Sequence, residues 1–467
     1  MQTSLLKRII EPKQQLPAAR QRFSNRDLAR LVLPIVAEQF LALLVGIADT
    51  LMVSYAGEHY AGDAAVSGVS LVNQLNNVFI FVFTALATGG AVIASQYVGR
   101  KDRENGVEAA SQLLMITTVI SAAVSAVVLL FGSQIFRLLF GAVEADVYRS
   151  GMTYLQISAY SFTALAVYNA CAGLYRSMGK TKELMYVSFA MNGINVAGNA
   201  IGVFVLHAGV AGVAYPSLIS RVFAAAVMLV LTVQKKNPLY LSAQKVFAWK
   251  GQMVGRILHV AVPNGVENGL FQLAKVALSS IAAMFGTVQI AANGVAQSFW
   301  SMAALFCLAM GPAFITVVGQ YMGAKDAEGA EYYMKKLLRI TYLGGAIWNV
   351  FFLLISPLLL MLYDLSAETV RLVMILMVLH NVFNALFCPV SFSLSSGLRA
   401  AGDVKFNLYS SIFSSVICRV ALSCLFGLTF HLGVIGITLA MACDWGIKAI
   451  MVWARYKRGK WKRFKVI

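Results

Sequence analysis

The chain is written twice, and both copies are apolar. Gln96-Tyr97-Val98-Gly99-Arg100-Lys101-Asp102 returns 224 residues later as Gln320-Tyr321-Met322-Gly323-Ala324-Lys325-Asp326. Gly173-Leu174 returns at the same offset as Gly397-Leu398, and His207-Ala208-Gly209-Val210-Ala211-Gly212 as His431-Leu432-Gly433-Val434-Ile435-Gly436. Pro34 with Glu38 is matched by Pro263 with Glu267, after a short insertion. A soluble solenoid repeats every ~20–50 residues, so this period is that of a domain. Duplication in an apolar chain is the pattern of transporters whose halves rock around a central site.

Hydrophobic residues make up 59% of the chain and charged ones 12%, against about 25% charged in a soluble domain. Apolar runs of about 20 residues, enough to cross the hydrocarbon core as helix, recur throughout. No run alternates with period two over about ten residues, which argues against an outer-membrane barrel. The expected fold is all-α and integral to the membrane. Twelve transmembrane helices are expected near 31–55, 66–98, 108–132, 150–174, 184–206, 210–232, 257–284, 292–322, 335–361, 369–396, 406–429 and 433–455. They form two pseudo-symmetric six-helix bundles around a central cavity. An even number of spans per repeat keeps both halves in one orientation. The domains are then a cytoplasmic segment 1–30, a bundle 31–232, a cytoplasmic linker 233–256, a bundle 257–455 and a basic tail 456–467. The linker carries Lys235, Lys236, Lys245 and Lys250 and lets the halves move.

Of the 38 Lys and Arg, 31 lie in or at the edge of the N-terminal tail, the even-to-odd loops and the C-terminal tail. Arg137, Arg149 and Arg371 lie on the other side, and Arg221, Lys275, Arg419 and Lys448 inside spans. The positive-inside rule then puts both termini in the cytoplasm of a multi-pass protein of the cell (inner) membrane. The net charge of +18 is topological bias and predicts no nucleic-acid partner. The tail from Arg455 to Lys465, with Trp461 and Phe464 interleaved, also suits anionic lipid headgroups. The polar, basic first 30 residues predict no cleavable signal peptide. Six cysteines in or beside apolar spans, without metal-ligand spacing, read as small core residues. No metal site, cofactor or oligomeric contact is signalled, and a monomer suffices for this architecture.

Charge inside a bilayer is costly, so each ionisable residue in a span needs a reason. The first span holds Pro34, Glu38 and Asp49. The two acids, eleven residues apart, lie within about 20° of one helix face and about 16 Å apart in depth. Pro34 lacks an N–H for the ladder and can kink the span. A buried carboxylate can take up a proton, or a sodium ion with help from neutral oxygens. The plain alternative is a carboxyl that fixes helix packing. In the fifth span Asn195 and Asn199 sit one turn apart, as sodium ligands, partners of Asp49 or interhelical glue. Tyr154 in the fourth span belongs with this set through the resemblance described below.

In the second half Glu267 repeats the position of Glu38, with Gln272 and Lys275 following on the same span. Glu267 and Lys275 are about 80° apart round the helix, so each is expected to meet another span. Arg221 and Arg419 are candidate partners for the acids. Asp444 and Lys448, four apart, are expected to pair with each other. The repeated Gln-Tyr-x-Gly-x-Lys-Asp segments read as helix stops at their glycines, with solvated charges after them. Gly89-Gly90 and Gly344-Gly345 read as points of close helix approach.

Two six-span halves, Asp49-Thr50 late in span one and the paired Gln-Tyr-x-Gly segments resemble the multidrug and toxic compound extrusion (MATE) family. The likeness runs from about 28 to 455, includes the Gly-Leu-Tyr-Arg-Ser-Met-Gly-Lys-Thr-Lys segment from Gly173, and is closer to bacterial DinF-like members than to NorM-like ones. It implies an antiporter that expels organic cations or amphipathic drugs, driven by inward H+ or Na+ flow, with Asp49 in ion coupling and a bend at Pro34. It also implies Asn followed one turn later by an acid in span five. Here the pair is Asn195 and Asn199, so that acid is missing. A span-four tyrosine of the family corresponds to Tyr154. NorM-like members carry a deeper glutamate in span seven, where this chain has Phe271-Gln272.

The sequence therefore predicts a cation-coupled efflux antiporter working by alternating access, its apolar cavity lined with aromatic and Met residues. Glu38 is a second coupling candidate, and Glu267, Gln272, Lys275 and Arg419 are cavity candidates in the second half. A lipid-linked precursor flippase of the same superfamily is the alternative, kept open by Arg221, Lys275, Arg419 and Lys448. A membrane-embedded enzyme is the remote one, because five scattered histidines give no catalytic or metal cluster.

Overall fold

The computed structural model describes residues 9–13, 16–55, 62–141, 144–361 and 365–467; side chains at 47, 49–51, 53–55 and 62–66 are also outside the description. The first repeat forms α1 (Asn25–Tyr55), α2 (Gly62–Arg100), α3 (Arg103–Phe140), α4 (Ala145–Ser177), α5 (Thr181–Ala200) and α6 (Ala211–Val233). The second forms α7 (Gly251–Ala283), α8 (Thr287–Ala303), α9 (Leu305–Gly323), α10 (Ala327–Leu360), α11 (Ala367–Cys388), α12 (Val404–Ser411) and α13 (Gly433–Lys457). Helix α11 runs on through a π turn at Pro389–Leu394 to Ala400, and α12 continues through π turns to Thr429.

Eleven of the described helical stretches are long and apolar enough to cross a membrane. The seventh expected span, α7, is a helix of 33 residues but is not one of them. Asn264, Glu267, Asn268, Gln272 and Lys275 interrupt its apolar surface. The eighth expected span is two helices, α8 and α9, meeting at Ala304. Its carbonyls near the join are drawn to side chains. Trp348 Nε1 donates to the Met302 carbonyl at 2.8 Å, Asn384 Nδ2 to Ala303 at 3.1 Å and Ser393 Oγ to Cys307 at 2.8 Å. Side chains inserted into a helical ladder open it.

The chain divides into one compact unit of Leu33–Gly265 and another of Met1–Val32 with Val266–Ile467. Both dividing points fall inside helices, close to the repeat-equivalent Pro34 and Pro263. In the first unit α2 lies along α4, with α3 and α6 beside α4 and α5 against α6. Its core gathers Phe83, Phe136, Leu155 and Phe162. Gly173 allows a close approach of α4 to α2, since a Cβ there would stand 2.9 Å from the Ala87 carbonyl oxygen. Gly89 does the same for α2 and α7, where a Cβ would stand 2.9 Å from the Ile257 carbonyl oxygen, as the sequence predicted. In the second unit α8 lies on α11 and α9 on its continuation from Pro389 to Ala400, with α10 and α13 alongside. Trp300, Trp445, Phe299 and Phe352 form its core. Large apolar side chains such as Leu130, Leu138 and Leu354 point outward, as lipid-facing helices require.

The duplicated motifs turn out to be backbone devices. In both Gln-Tyr-x-Gly-x-Lys-Asp copies the left-handed residue is the lysine, Lys101 with φ 60° and Lys325 with φ 59°. The helices stop where expected, at Gly323 in one copy and one residue past Gly99 in the other, but the left-handed turn falls two residues after the glycine. The following aspartate caps the next helix: Asp102 accepts from the Asn105 N–H and Asp326 from the Gly329 N–H. The histidines of the other repeated motif, His207 and His431, also have positive φ.

The 233–256 stretch is strapped to the first repeat. Gln112 Nε2 donates to the Lys245 carbonyl at 2.6 Å and the Ala248 carbonyl at 2.7 Å, and Gln112 Oε1 accepts from the Lys250 N–H at 3.0 Å. Lys180 Nζ reaches Asn237 Oδ1 at 2.6 Å. Cysteines 171, 307 and 388 are buried as expected, but Cys443 is exposed, a correction to the reading of all six as core.

Residues 20–23 are tied to the second repeat's unit. Arg20 bonds Asp326 at 2.5 Å and Glu328 at 2.9 Å, the Arg22 N–H donates to Tyr321 Oη at 2.8 Å, and Tyr333 Oη donates to the Phe23 carbonyl. Partial burial alone would raise the Asp326 carboxyl, but Arg20 and the Gly329 N–H outweigh it and hold the group below its ordinary value of 3.8. A lowered carboxyl stabilises its contact at neutral pH and loses that contribution as pH falls from the ordinary value through the lowered one. Protection of the amides at residues 16–23 from hydrogen exchange, relative to the intrinsic rate at each pH, is therefore expected to fall below about pH 4, and Arg20→Ala to produce the same loss of protection already at pH 7. Unchanged exchange in Arg20→Ala would show that Tyr321 and Tyr333 hold the segment alone.

Candidate functional site

Asp49 lies on α1, but its side chain is outside the described residues. What surrounds the other first-repeat candidates is clear. On α5, Asn199 Nδ2 donates to Asn195 Oδ1 at 3.3 Å, and Asn195 Nδ2 to Ser217 Oγ on α6 at 2.9 Å. All the Asn side chains at 192, 195 and 199 are buried. The helical spacing of four residues thus makes a short chain of amides and a hydroxyl along one face. Tyr154 is buried among Phe136, Leu155 and Phe162 in the apolar core of the first unit. Pro34 sits inside α1 as expected.

Glu38 is buried and pairs with Arg176 at the end of α4, Nη2 to Oε1 at 2.7 Å. Glu267 repeats this arrangement. Its Oε2 accepts from Arg399 Nη2 at 2.7 Å, and its Oε1 accepts from Ser411 Oγ at 2.6 Å and Lys448 Nζ at 3.2 Å. Each repeat therefore holds a Glu, four residues after an in-helix proline, against an Arg just past a Gly-Leu pair. The Arg stands three residues after Gly173 in one copy and two after Gly397 in the other. That shift hid the match from the sequence comparison. The signal was present: an arginine follows the second Gly-Leu pair at once and the first after one intervening residue, Tyr175.

Two sequence expectations are corrected here. Arg419 does not serve Glu267 but belongs to Asp444, while Arg221 Nη1 donates to Ser161 Oγ at 2.6 Å. Asp444 and Lys448 do not pair with each other. Arg419 Nε bonds Asp444 Oδ2 at 3.0 Å, its Nη2 bonds the same oxygen, and Ser415 Oγ donates to Asp444 Oδ1 at 3.2 Å, while Lys448 turns to Glu267. An i,i+4 spacing permits a pair on one helix. A guanidinium with two donors facing one carboxylate, at a fully buried position, competes better for it.

Lys275 stands apart. Among the described residues it has no acidic partner. Its Nζ lies 5.2 Å from the Phe271 ring centre and 5.1 Å from that of Trp300. Arg419 lies 4.8 Å from the Phe271 ring centre, so one phenyl ring is shared by two cations. Gln272, beside Phe271 on α7, is half-buried. Among the described residues no group of His, Cys, Asp and Glu could hold a metal ion.

Comparison with known proteins agrees with this duplicated helical plan. The MatE family model matches residues 34–201 and again 263–425, one copy per repeat. The "Uncharacterized transporter YisQ" of Bacillus subtilis (strain 168) is 28% identical over 93% of this chain and 94% of its own length. The "Probable multidrug resistance protein NorM" of Thermotoga maritima is 23% identical over 100% of this chain and 98% of its own. The solved outward-facing structure of a multidrug resistance MATE family transporter superposes with a TM-score of 0.87 at 20% identity, covering 97% of this chain and 100% of that one. Both repeats carry the family's sequence pattern, so this multi-pass membrane chain belongs to the MatE family, the MATE multidrug transporters.

Proposed function

We propose that the chain is a cation-coupled antiporter of the cell membrane, both termini cytoplasmic, that exports organic cations or amphipathic compounds by alternating access. The coupling ion is H+ or Na+, and Asp49 is its carrier. The observation that bears most on this assignment is the fate of the other acids. Glu38 and Glu267 already face guanidinium groups at 2.7 Å. A carboxylate held this way gains little from a travelling cation, which would have to displace an arginine. Glu38 and Glu267 are thus assigned to holding helices together, and Asp49 is left to couple. Asn195, Asn199 and Ser217 supply neutral oxygens in the same repeat.

The flippase reading rested on four basic side chains in spans. Three of these have partners within the protein, namely Arg221 with Ser161, Arg419 with Asp444 and Lys448 with Glu267. That favours the exporter.

The test is ethidium efflux from pump-deficient bacteria expressing the parent or Asp49→Asn at matched membrane levels, with sodium and pH gradients imposed separately. Parent efflux should follow one gradient and fall to background in Asp49→Asn. An ion must bind the two access states with different affinity to drive export, so loss of its site removes the drive. Efflux that persists in Asp49→Asn would sink the coupling role. No gradient-driven efflux by the parent would overturn the exporter reading for this substrate class.

A further inference from the structure

The connection between the repeats leaves two aromatic side chains outside. Phe247 is 88% exposed, more than any other large apolar side chain among the described residues, and Trp249 is 67% exposed. The apolar residues to either side behave otherwise: Leu239, Leu241, Met253 and Val254 are all buried. The backbone that carries the two rings is fixed. Phe247 ends a short helix, Ala243–Phe247. The amide of Gln112 on α3 bonds the Lys245 and Ala248 carbonyls at 2.6 and 2.7 Å and the Lys250 N–H at 3.0 Å. The Ser242 N–H donates to Ser111 Oγ at 3.2 Å. All of these residues belong to the first unit.

Gln112 also sets the depth of the segment. Before it α3 carries Arg103, Glu104 and Glu108, and after it comes no charged residue until Arg137. Gln112 stands one turn, about 6 Å, past Glu108. There α3 passes from side chains that need water to a stretch whose exposed members, such as Val119 and Leu130, need lipid. Phe247 and Trp249 are held at that level, where aromatic rings collect in membrane proteins because one part can enter the acyl boundary while the rest stays among headgroups. Charge points the same way. Lys245 and Lys250 flank the two rings, Lys235 and Lys236 precede them, and no Asp or Glu occurs between Glu183 and Glu267. Among the described residues none of these four lysines makes a salt bridge. Lys245 Nζ donates to the Glu104 backbone carbonyl at 3.1 Å, which leaves its charge unmatched.

We propose that residues 243–250 dock on the membrane surface and hold an anionic phospholipid there, with Phe247 and Trp249 at the acyl boundary and Lys245 and Lys250 on the headgroup phosphate. Exposed rings and unmatched lysines then satisfy one partner that is apolar on one side and anionic on the other. The connection between the repeats is an anchor of the first unit, not a loose tether. The site is separate from the acids and amides assigned to ion coupling. Its placing in the cytoplasmic leaflet rests on the proposed topology, and the lipid contact itself does not.

The test reads lipid contact at Trp249 in the full-length protein. Trp249→Phe removes one of the six tryptophans, so the difference in emission between parent and variant isolates that side chain. The protein is placed in phosphatidylcholine nanodiscs in which an equal minor fraction of either phosphatidylcholine or phosphatidylglycerol carries brominated acyl chains, which quench an indole on contact. The Trp249 signal is expected to be quenched at least about threefold more strongly by the brominated phosphatidylglycerol, the scale of one lysine near an anionic surface. Lys245→Gln combined with Lys250→Gln should bring the two lipids level while brominated phosphatidylcholine still quenches, which shows that the segment keeps its place. A Trp249 signal quenched by aqueous acrylamide and by neither lipid overturns the proposal and gives the surface to a soluble partner. Equal quenching by the two lipids in the parent, or a preference untouched by the double change, overturns the anionic site. Nanodiscs carry the same lipids in both leaflets and no gradient, so the result stands whatever the efflux assay returns.

Discussion

Asp444→Ala is expected to destabilise the protein by about 3–5 kcal/mol, the usual consequence of stranding one partner of a buried ion pair. The Arg419 and Asp444 side chains are both fully inaccessible. The guanidinium sends two of its N–H groups to one carboxylate oxygen, and Ser415 holds the other. With the carboxylate gone, Arg419 keeps its charge, because a guanidinium does not deprotonate in proteins. It would be left over the Phe271 ring. The double change Asp444→Leu with Arg419→Met removes both charges and should recover most of the loss, since apolar replacements of buried pairs are often neutral or better. Thermal unfolding in detergent, followed by tryptophan fluorescence, reads both. A single variant as stable as the parent would mean that Asp444 is not the counter-ion of Arg419, and a double variant no better than the single would point to lost shape instead of stranded charge.

Gly212→Val and Gly436→Val should each abolish the folded yield or destabilise by at least about 3 kcal/mol, at the upper end of overpacking costs. A Cβ on Gly212 would stand 2.6 Å from the Gly202 carbonyl oxygen. One on Gly436 would stand 2.6 Å from the Phe426 carbonyl carbon and 2.7 Å from the Gly427 nitrogen. The obstacles are backbone atoms, which cannot swing aside as a side chain does. Both glycines begin the last helix of their repeat, immediately after the positive-φ histidines His207 and His431 and the positive-φ Gly209 and Gly433. Gly294→Ala is the control, since nothing lies within 4 Å of a Cβ there. It should be neutral or stabilise α8 by about 0.5–1 kcal/mol through helix propensity. Size-exclusion profiles and unfolding midpoints at matched expression would decide. Normal stability in both valine variants would mean that the two hairpins can open without cost.

These expectations show where sequence reasoning reached and where it stopped. The duplication at 224 residues, the helical membrane class and the equivalent placing of Pro34 and Pro263 within spans could be read directly, because apolar length and backbone-breaking residues are local properties. The motif glycines were legible as punctuation but not in their role. The left-handed turn falls on Lys101 and Lys325, and the next residue, Asp102 or Asp326, caps the following helix. A helix pattern marks where a chain turns, and which residue adopts positive φ depends on the cap that follows.

Charge pairing was the part that spacing could not yield. Lys448 sits one turn from Asp444 yet bonds Glu267, 181 residues away. Glu38 meets Arg176, 138 residues away, and Glu267 meets Arg399, 132 residues away. Helical periodicity tells which residues share a face of one helix, but not which helix that face meets. Composition, repeat and periodicity therefore determined on their own that this is a twofold helical membrane protein with acids in its spans. Only the tertiary structure decided which of those acids are already neutralised, and by which bases. In a low-dielectric interior an ion pairs with whatever counter-charge the packing brings within about 3 Å, and packing joins residues that the chain keeps far apart.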